Sequence, residues 1–400
     1  MQRLLSLIPP GITRIDLLAP PFAGHLHPVL AMGKALSAHY HVRIISTCRA
    51  EPHILAAGLS ALILPGAYDE SLQGVANPRY AIKSSPLKLY RQFRAVVGLL
   101  KNFADELEQL WYRAGVPELA IADFTLPIAG DVCRRLDIIW WTSMPSPCVL
   151  EGPDGTPAYC GGLMPAKNRL GRIWHNLQRQ KVRIFKRTVF ALFRRTISQT
   201  GITRLYRADG SESAYSPYCI LALSEREFEF PQTWPAALTF IGPALYTPPL
   251  GFQSPPFREG KRHVLVTLGT HLDWHKEAVV EAVMVLAGTL PDWEFHFTDG
   301  NSSGGDHHQQ GNFWRVSWVD YDRWLPRYDA VIHHGGAGIM WHCLKQDIPA
   351  LVYPVDYDQF DHAARLEFSG KGIWLRGGLR SLGQCGDKLR GLVEKCGSGR

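Results

Sequence analysis

The chain has 400 residues, 46% of them hydrophobic and 20% charged, with a formal net charge of +7. These values describe a soluble globular protein too long for one ordinary core, so two domains are expected. No apolar run reaches the roughly 18 residues a membrane span needs, and Pro9-Pro10 cuts the opening MQRLLSLIPPG too short for a good secretory signal.

The first half reads as strands alternating with helices. Apolar strand candidates are 13–19, 41–47, 61–65, 119–124, 138–143 and 218–224, and helical spacing fits 28–39, 87–113 and 168–198. Near-continuous apolar strands separated by helices predict a parallel sheet covered on both faces. Residues 245–262, LYTPPLGFQSPPFREGKR, carry four prolines and read as a linker. The rhythm then restarts with strand candidates at 263–269, 293–298, 313–319, 330–334, 350–355 and 371–375. Residues 300–312, GNSSGGDHHQQGN, read as a polar surface loop with solvent-facing histidines. The expected class is α/β: two doubly wound parallel-sheet domains, 1–244 and 263–400, with a ligand cleft facing the carboxyl ends of both sheets.

Charge and cysteines narrow the partners. Twelve Lys or Arg and no Asp or Glu lie between Gly161 and Arg207, so this one segment makes the protein basic. The eight cysteines are widely spaced with no Cys-x-x-Cys pair, which points to reduced thiols in a cytosolic protein rather than a disulfide frame or zinc site.

The most specific stretch is residues 328–366, YDAVIHHGGAGIMWHCLKQDIPALVYPVDYDQFDHAARL. A strand ends at His333-His334, and Gly335-Gly336-Ala337-Gly338 opens a helix. Small residues let backbone N–H groups approach an anion at the positive end of the helix dipole. A tight turn whose glycines serve only packing is the alternative.

In its context the stretch resembles the nucleotide-sugar signature of the GT-B glycosyltransferases of family 1. SWV at 317–319 places Trp318 sixteen residues before His334, TLGT at 267–270 ends the first strand of the second half, and Asp358-Gln359 follows Pro354. The resemblance implies that Trp318 stacks on the base and Val319 offers backbone contacts. By the same resemblance His334, Gly335, Gly336, Ala337 and Gly338 hold the diphosphate with Gly269 and Thr270, while Asp358 and Gln359 hold sugar hydroxyls. Two positions depart from the pattern. Asp320-Tyr321 stands where Pro-Gln is usual, and His342 stands eight residues after His334, where the family carries a ribose-binding Glu. The 26 residues after Trp374 are also fewer than the family's usual tail.

The resemblance extends to FAGHLHPVLAMGKAL at 22–36 and implies that His25 is the catalytic base, oriented by Asp123 in IADFTLP. An imidazole with a pKa of about 6.5 is suited to take a hydroxyl proton at neutral pH, and a carboxylate on its other nitrogen fixes the tautomer. His27 reads as a helix-start residue. No metal is expected, because the helix mouth and His334 take the leaving-group charge. The two Asp-Tyr-Asp triplets, 320–322 and 356–358, fall inside motifs already explained.

Residues 167–199 form a basic amphipathic segment in the acceptor half. It reads as an anionic membrane surface contact, as a solvated cover over the acceptor pocket, or as a contact with an anionic acceptor. No nucleic-acid recognition module accompanies the charge. The expected function is therefore an inverting, metal-independent glycosyltransferase of hexosyltransferase type, with a UDP- or TDP-sugar as co-substrate and no cofactor. Its acceptor would be a small hydrophobic or lipid-linked molecule, and its place the cytoplasm, with peripheral membrane contact as a further option. A nucleotide-sugar binding protein without transfer activity and a sugar-nucleotide epimerase are the rival readings.

Overall fold

The computed structural model describes residues 1–65, 67–76, 85–199, 201–248, 253–300, 305 and 307–397. Two compact units result, one ending at Tyr246 and the other beginning at Thr247.

The first unit contains β1 (Arg14–Leu18), β2 (His41–Thr47), β3 (Ser60–Leu64), β4 (Leu119–Asp123), β5 (Ile139–Met144), β6 (Ile220–Ala222) and β7 (Leu238–Phe240). They form one parallel sheet in the order β3-β2-β1-β4-β5-β6-β7. Successive side chains of a strand point to opposite faces, and both faces are covered. Ile15, Leu17 and Ile121 meet Leu26, Val29 and Leu30 of the helix Ala23–Leu36. On the other face Leu18, Ala120 and Ala122 meet Leu107 and Trp111 of the helix Pro86–Ala114.

The second unit contains β8 (Arg262–Thr267), β9 (Trp293–Thr298), β10 (His308–Gln310), β11 (Phe313–Val316), β12 (Ala330–His333), β13 (Ala350–Val352) and β14 (Gly372–Trp374). Their order is β10-β11-β9-β8-β12-β13-β14, parallel except for the edge strand β10. Val264, Val266, Phe295 and Phe297 pack on Val279, Val283 and Leu286, while Leu265 and Val331 pack on Ile339 and Cys343.

Several boundaries differ from those read in the sequence. The first long helix starts at Ala23 rather than at residue 28, so His25 stands in its first turn and Pro28 inside it. Proline there removes only the bond to the carbonyl of Gly24, one turn back. The polar stretch 300–312 is not all loop, because His308–Gln310 pairs antiparallel with β11; residues 301–304 and 306 lie outside the described residues. Strand β7 has only three residues and part-buried side chains, too short a run for a periodic signal. Residues 249–252 of the proline-rich stretch also lie outside the described residues. Among the described residues no helix is long and apolar enough to cross a membrane.

Two buried polar groupings interrupt the apolar cores. Arg43 on β2 grips both carboxylate oxygens of Asp16 on β1 at 2.8 Å, and Trp111 Nε1–H donates to Asp16 Oδ2 at 2.7 Å. The same guanidinium donates to the carbonyls of Ala114 and Gly115, which fastens the long helix to the sheet. Burial nevertheless raises the Asp16 carboxyl above its ordinary value, against the pull of Arg43. In the second unit His263, Glu294 and His296 share one sheet face, with ligand atoms within 4.8 Å of one another. Arg258 already engages this trio: its backbone N–H donates to His263 Nε2 at 3.1 Å and its guanidinium pairs with Glu294 at 3.2 Å. Burial lowers the pKa of His296 to about 3, so the ring is neutral, with Nδ1 bonded to the Tyr328 hydroxyl.

Removing one partner of a buried ion pair leaves an uncompensated charge, which costs about 3–5 kcal/mol. Arg43→Met should therefore lower unfolding stability in urea by that amount, and adding Asp16→Asn should recover part of the loss. A loss of less than about 1 kcal/mol, the range of exposed pairs, would show that the pair does not hold helix to sheet.

Candidate active site

In a doubly wound sheet, chain order reverses at one place, and the loops leaving the strands there diverge to leave a crevice. In the first unit that place lies between the neighbours β1 and β4. The loop after β1 leads into the helix bearing His25, and β4 ends on Asp123. His25 Nδ1 stands 3.1 Å from both carboxylate oxygens of Asp123. The Asp123 side chain is fully buried and that of His25 is 27% exposed. Asp123 also accepts the backbone N–H and the hydroxyl of Thr125. With the carboxylate accepting at Nδ1–H, Nε2 is the basic nitrogen. Phe124 tilts against the ring at 5.6 Å. His27 takes no part in this pair and meets the edge of Tyr246 instead.

In the second unit the reversal lies between β8 and β12. β8 runs into Leu268, Gly269 and Thr270, and β12 into His334 and the glycine turn. The His334 ring lies between two glycines. A Cβ on Gly269 would come within 3.0 Å of its Cε1, and one on Gly336 within 2.4 Å of its Nε2. Gly269 also has a φ of +69°, a left-handed conformation that glycine adopts without strain. Gly335, with a φ of +91°, is clamped on three sides. Its N–H donates to His333 Nδ1, its carbonyl accepts from His362 Nδ1, and a Cβ would lie 2.9 Å from the carbonyl oxygen of Gln359. Gly336 then caps the nine-residue helix Ala337–Lys345, with the exposed Gly338 in its first turn.

Burial, the main cause, lowers the pKa of His334 to about 4 and that of His333 to about 3. Both are neutral near pH 7. His334 Nδ1 has no hydrogen-bond partner among the described residues, and Asp358 is close enough to pull its pKa up. Asp358 is part-buried after Tyr357, whose φ is +55°. Gln359 is committed differently, since its side-chain oxygen accepts the N–H groups of Val355 and Asp356 and only its amide nitrogen remains for a ligand. Trp318 follows β11 part-buried, with Nε1 unpartnered among the described residues, while the side chain of Val319 sits in the core with Ile339.

The two unusual positions prove to be neighbours. Tyr321 meets the His342 ring edge-on at 5.5 Å and shares a hydrogen bond with Thr267, while His342 Nδ1 lies 3.6 Å from Asp322. Asp320 accepts the N–H of Arg323, and Asp356 that of Tyr357, so both Asp-Tyr-Asp triplets shape their own backbone. Thr125 and His362 were not singled out in the sequence. The signal for Thr125 was present, as a residue two after an Asp is placed to donate back to it.

The chain is similar to known proteins in sequence and in fold. Residues 292–386 match the family described as erythromycin biosynthesis protein CIII-like, C-terminal domain. The solved glycotransferase of kitacinnamycin superposes over 97% of this chain and 95% of its own, with a TM-score of 0.64 at 18% identity. The fold is GT-B. A second GT-B neighbour, the glycosyltransferase SsfS6 of Streptomyces sp. SF2575 complexed with thymidine diphosphate, gives a TM-score of 0.60 at 17% identity over 96% of both chains. In sequence the chain is similar to known glycosyltransferases. It is 23% identical over 377 residues to O-mycaminosyltylonolide 6-deoxyallosyltransferase of Streptomyces fradiae, covering 89% of this chain and 84% of that one. It is 33% identical over 103 residues to sterol 3-beta-glucosyltransferase of Saccharomyces cerevisiae strain YJM789, which is 25% of this chain and only 9% of that protein.

Two outcomes check the second-unit geometry. Gly336→Ala would push a methyl group into the His334 ring; if this turn is the anion site, the variant should weaken thymidine diphosphate binding at least about tenfold by calorimetry, the loss of one charge-assisted hydrogen bond. An anion bound beside His334 would favour the protonated imidazole and raise its pKa. The contribution of His334 to affinity should grow as pH falls from 7 toward its free value of about 4 and fade as pH rises. The diphosphate titrates as well, so the measured quantity is the affinity difference between the wild type and His334→Gln. A difference constant from pH 5 to 8 would remove His334 from the anion site.

Proposed function

We propose that this chain is an inverting glycosyltransferase that moves a sugar from a pyrimidine nucleoside diphosphate sugar to a hydroxyl of a hydrophobic acceptor. The acceptor is a natural product or a lipid-linked molecule. The observation that carries the reading is the His25–Asp123 pair, a part-exposed imidazole whose Nδ1 is held at 3.1 Å by a fully buried carboxylate. That is the arrangement of a general base rather than of a binding residue.

In this mechanism the acceptor hydroxyl gives its proton to His25 Nε2 as its oxygen forms the new bond to the anomeric carbon. The bond from that carbon to the distal phosphate oxygen breaks on the opposite side, which inverts the configuration. Asp123 stabilises the imidazolium. The departing diphosphate is received by His334, by the backbone N–H groups at Gly335–Gly338 and by the Gly269–Thr270 turn, charge stabilisation of the oxyanion-hole kind. Trp318 stacks on the base, with Val319 contributing through its backbone, and Asp358 and the Gln359 amide hold sugar hydroxyls. His342 and Asp322 occupy the side where the ribose would lie. The thymidine diphosphate bound by SsfS6 and the macrolide named in the Streptomyces fradiae relative support the donor and acceptor classes.

His25→Ala should lower turnover at least about 100-fold, the usual contribution of a general base, while thymidine diphosphate affinity stays within a factor of two of wild type. Asp123→Asn should cost at least about tenfold, because an amide donating to Nδ1 leaves the proton on Nε2. Anomeric proton NMR of the product should show inversion, and EDTA should leave the rate unchanged. Near-normal turnover of His25→Ala at saturating acceptor would end the base assignment, and retention of configuration would end the single-displacement scheme.

A further inference from the structure

The helix Arg169–Leu192 is amphipathic in the opposite sense to an ordinary surface helix. Asn168 caps it by accepting the N–H of Gly171 at 2.8 Å. Its inward side is charged. Arg179 donates to the carbonyl of Gly155, Arg183 pairs with Glu151 at 2.9 Å, and Lys186 bridges Glu151 and Glu212 at 2.6 and 2.7 Å. Tyr206 donates to the same Glu151, and this set of cations holds the Glu151 carboxyl below its ordinary value despite burial. Three of the twelve cations, Arg179, Arg183 and Lys186, are thus already engaged inside the fold.

The outward side is apolar. Leu170, Ile173, Trp174, Leu177, Ile184 and Leu192 are between 48 and 77% exposed. At about 100° per residue all six fall within about 100° of one another, so they form one stripe along a helix that rises about 33 Å between the first and last of them. Exposed cations accompany the stripe: Arg169 and Arg187 flank it, Lys181 lies within it and Arg194 follows just past its end, and no acidic residue occurs between Gly161 and Arg207.

From this geometry we infer that the helix Arg169–Leu192 is a docking surface for an anionic lipid bilayer, its apolar stripe lying among the acyl chains and its flanking cations on the phosphates. Long basic side chains reach up to headgroups while their stems stay in apolar surroundings, and an aromatic residue such as Trp174 suits the boundary. Charge complementarity selects this occupant. A second copy joined by a two-fold axis along the stripe would set the same cations against each other with no carboxylate between them. A small acceptor is far shorter than the stripe, and a nucleic acid has no use for six aliphatic and aromatic side chains. The inference does not depend on sugar transfer.

The test uses the full chain and sedimentation with vesicles of phosphatidylcholine alone or mixed with phosphatidylglycerol. Binding to the anionic vesicles should be at least about tenfold tighter and should weaken steeply as the Debye length falls from about 10 Å at 0.1 M salt to about 3 Å at 1 M. Ile173→Glu with Leu177→Glu should reduce binding at least about tenfold, and Arg169, Lys181, Arg187 and Arg194 together changed to Glu at least about 100-fold. Arg183 and Lys186 are left alone, because reversing them would break the buried pairs. As a check free of folding changes, the emission difference between wild type and Trp174→Phe should move to the blue on adding anionic vesicles. Equal binding to both vesicles, binding to neither, or an unmoved Trp174 emission would overturn the inference. So would a concentration-dependent dimer that the Ile173→Glu, Leu177→Glu variant abolishes.

Discussion

The reversal of chain order beside the first strand of each sheet is the constraint on which the candidate site rests. A parallel strand needs a crossover to return the chain, and crossovers to the two sides of the first strand lie on opposite faces. Within each unit, the loops after β1 and β4 and those after β8 and β12 therefore open onto a crevice of that unit's own sheet without being drawn together by their own sequence. His25 and Asp123 are 98 residues apart in the chain and meet only because their strands are neighbours. Gly269 and His334 meet for the same reason.

Histidine stands in two different settings in these two places. His25 keeps part of its ring in solvent and has a buried carboxylate on one nitrogen. His334 is pressed between glycines at the end of a buried strand, where desolvation keeps it neutral near pH 7 and able to donate to an anion. The backbone around it is held in place by its neighbours: His333 and His362 bond to the two sides of Gly335, and the Gln359 side-chain oxygen ties down its own loop. The turn is thereby held in shape before any ligand arrives.

The departures from the family pattern form one packing unit. Replacing Pro-Gln by Asp320-Tyr321 gives the short helix Tyr321–Trp324 an N-cap and sends a phenol against the ring at 342, where an imidazole fits edge-on. His342 in turn faces Asp322, so a carboxylate is still present on that side, carried by a different element.

Most of the strands, and the glycine turn after His334, were legible in the sequence because they depend on local rules. Apolar runs of strand length, glycines at the mouth of a helix and a histidine after a strand are patterns within a few residues of chain. The start of the His25 helix was misjudged because Pro28 looks like a boundary but sits where it costs a single bond. The edge strands β7 and β10 were missed because three residues carry no period. The pairing of Tyr321 with His342, the clamp on Gly335 and the direction faced by each side of the basic helix belong to the tertiary structure alone. Composition shows twelve cations between Gly161 and Arg207 and an amphipathic spacing. It does not show that Glu151 and Glu212, distant in the chain, draw the charged side inward and leave the apolar side exposed. Contacts between residues far apart in sequence are set by how strands and helices stack, and no local pattern encodes them.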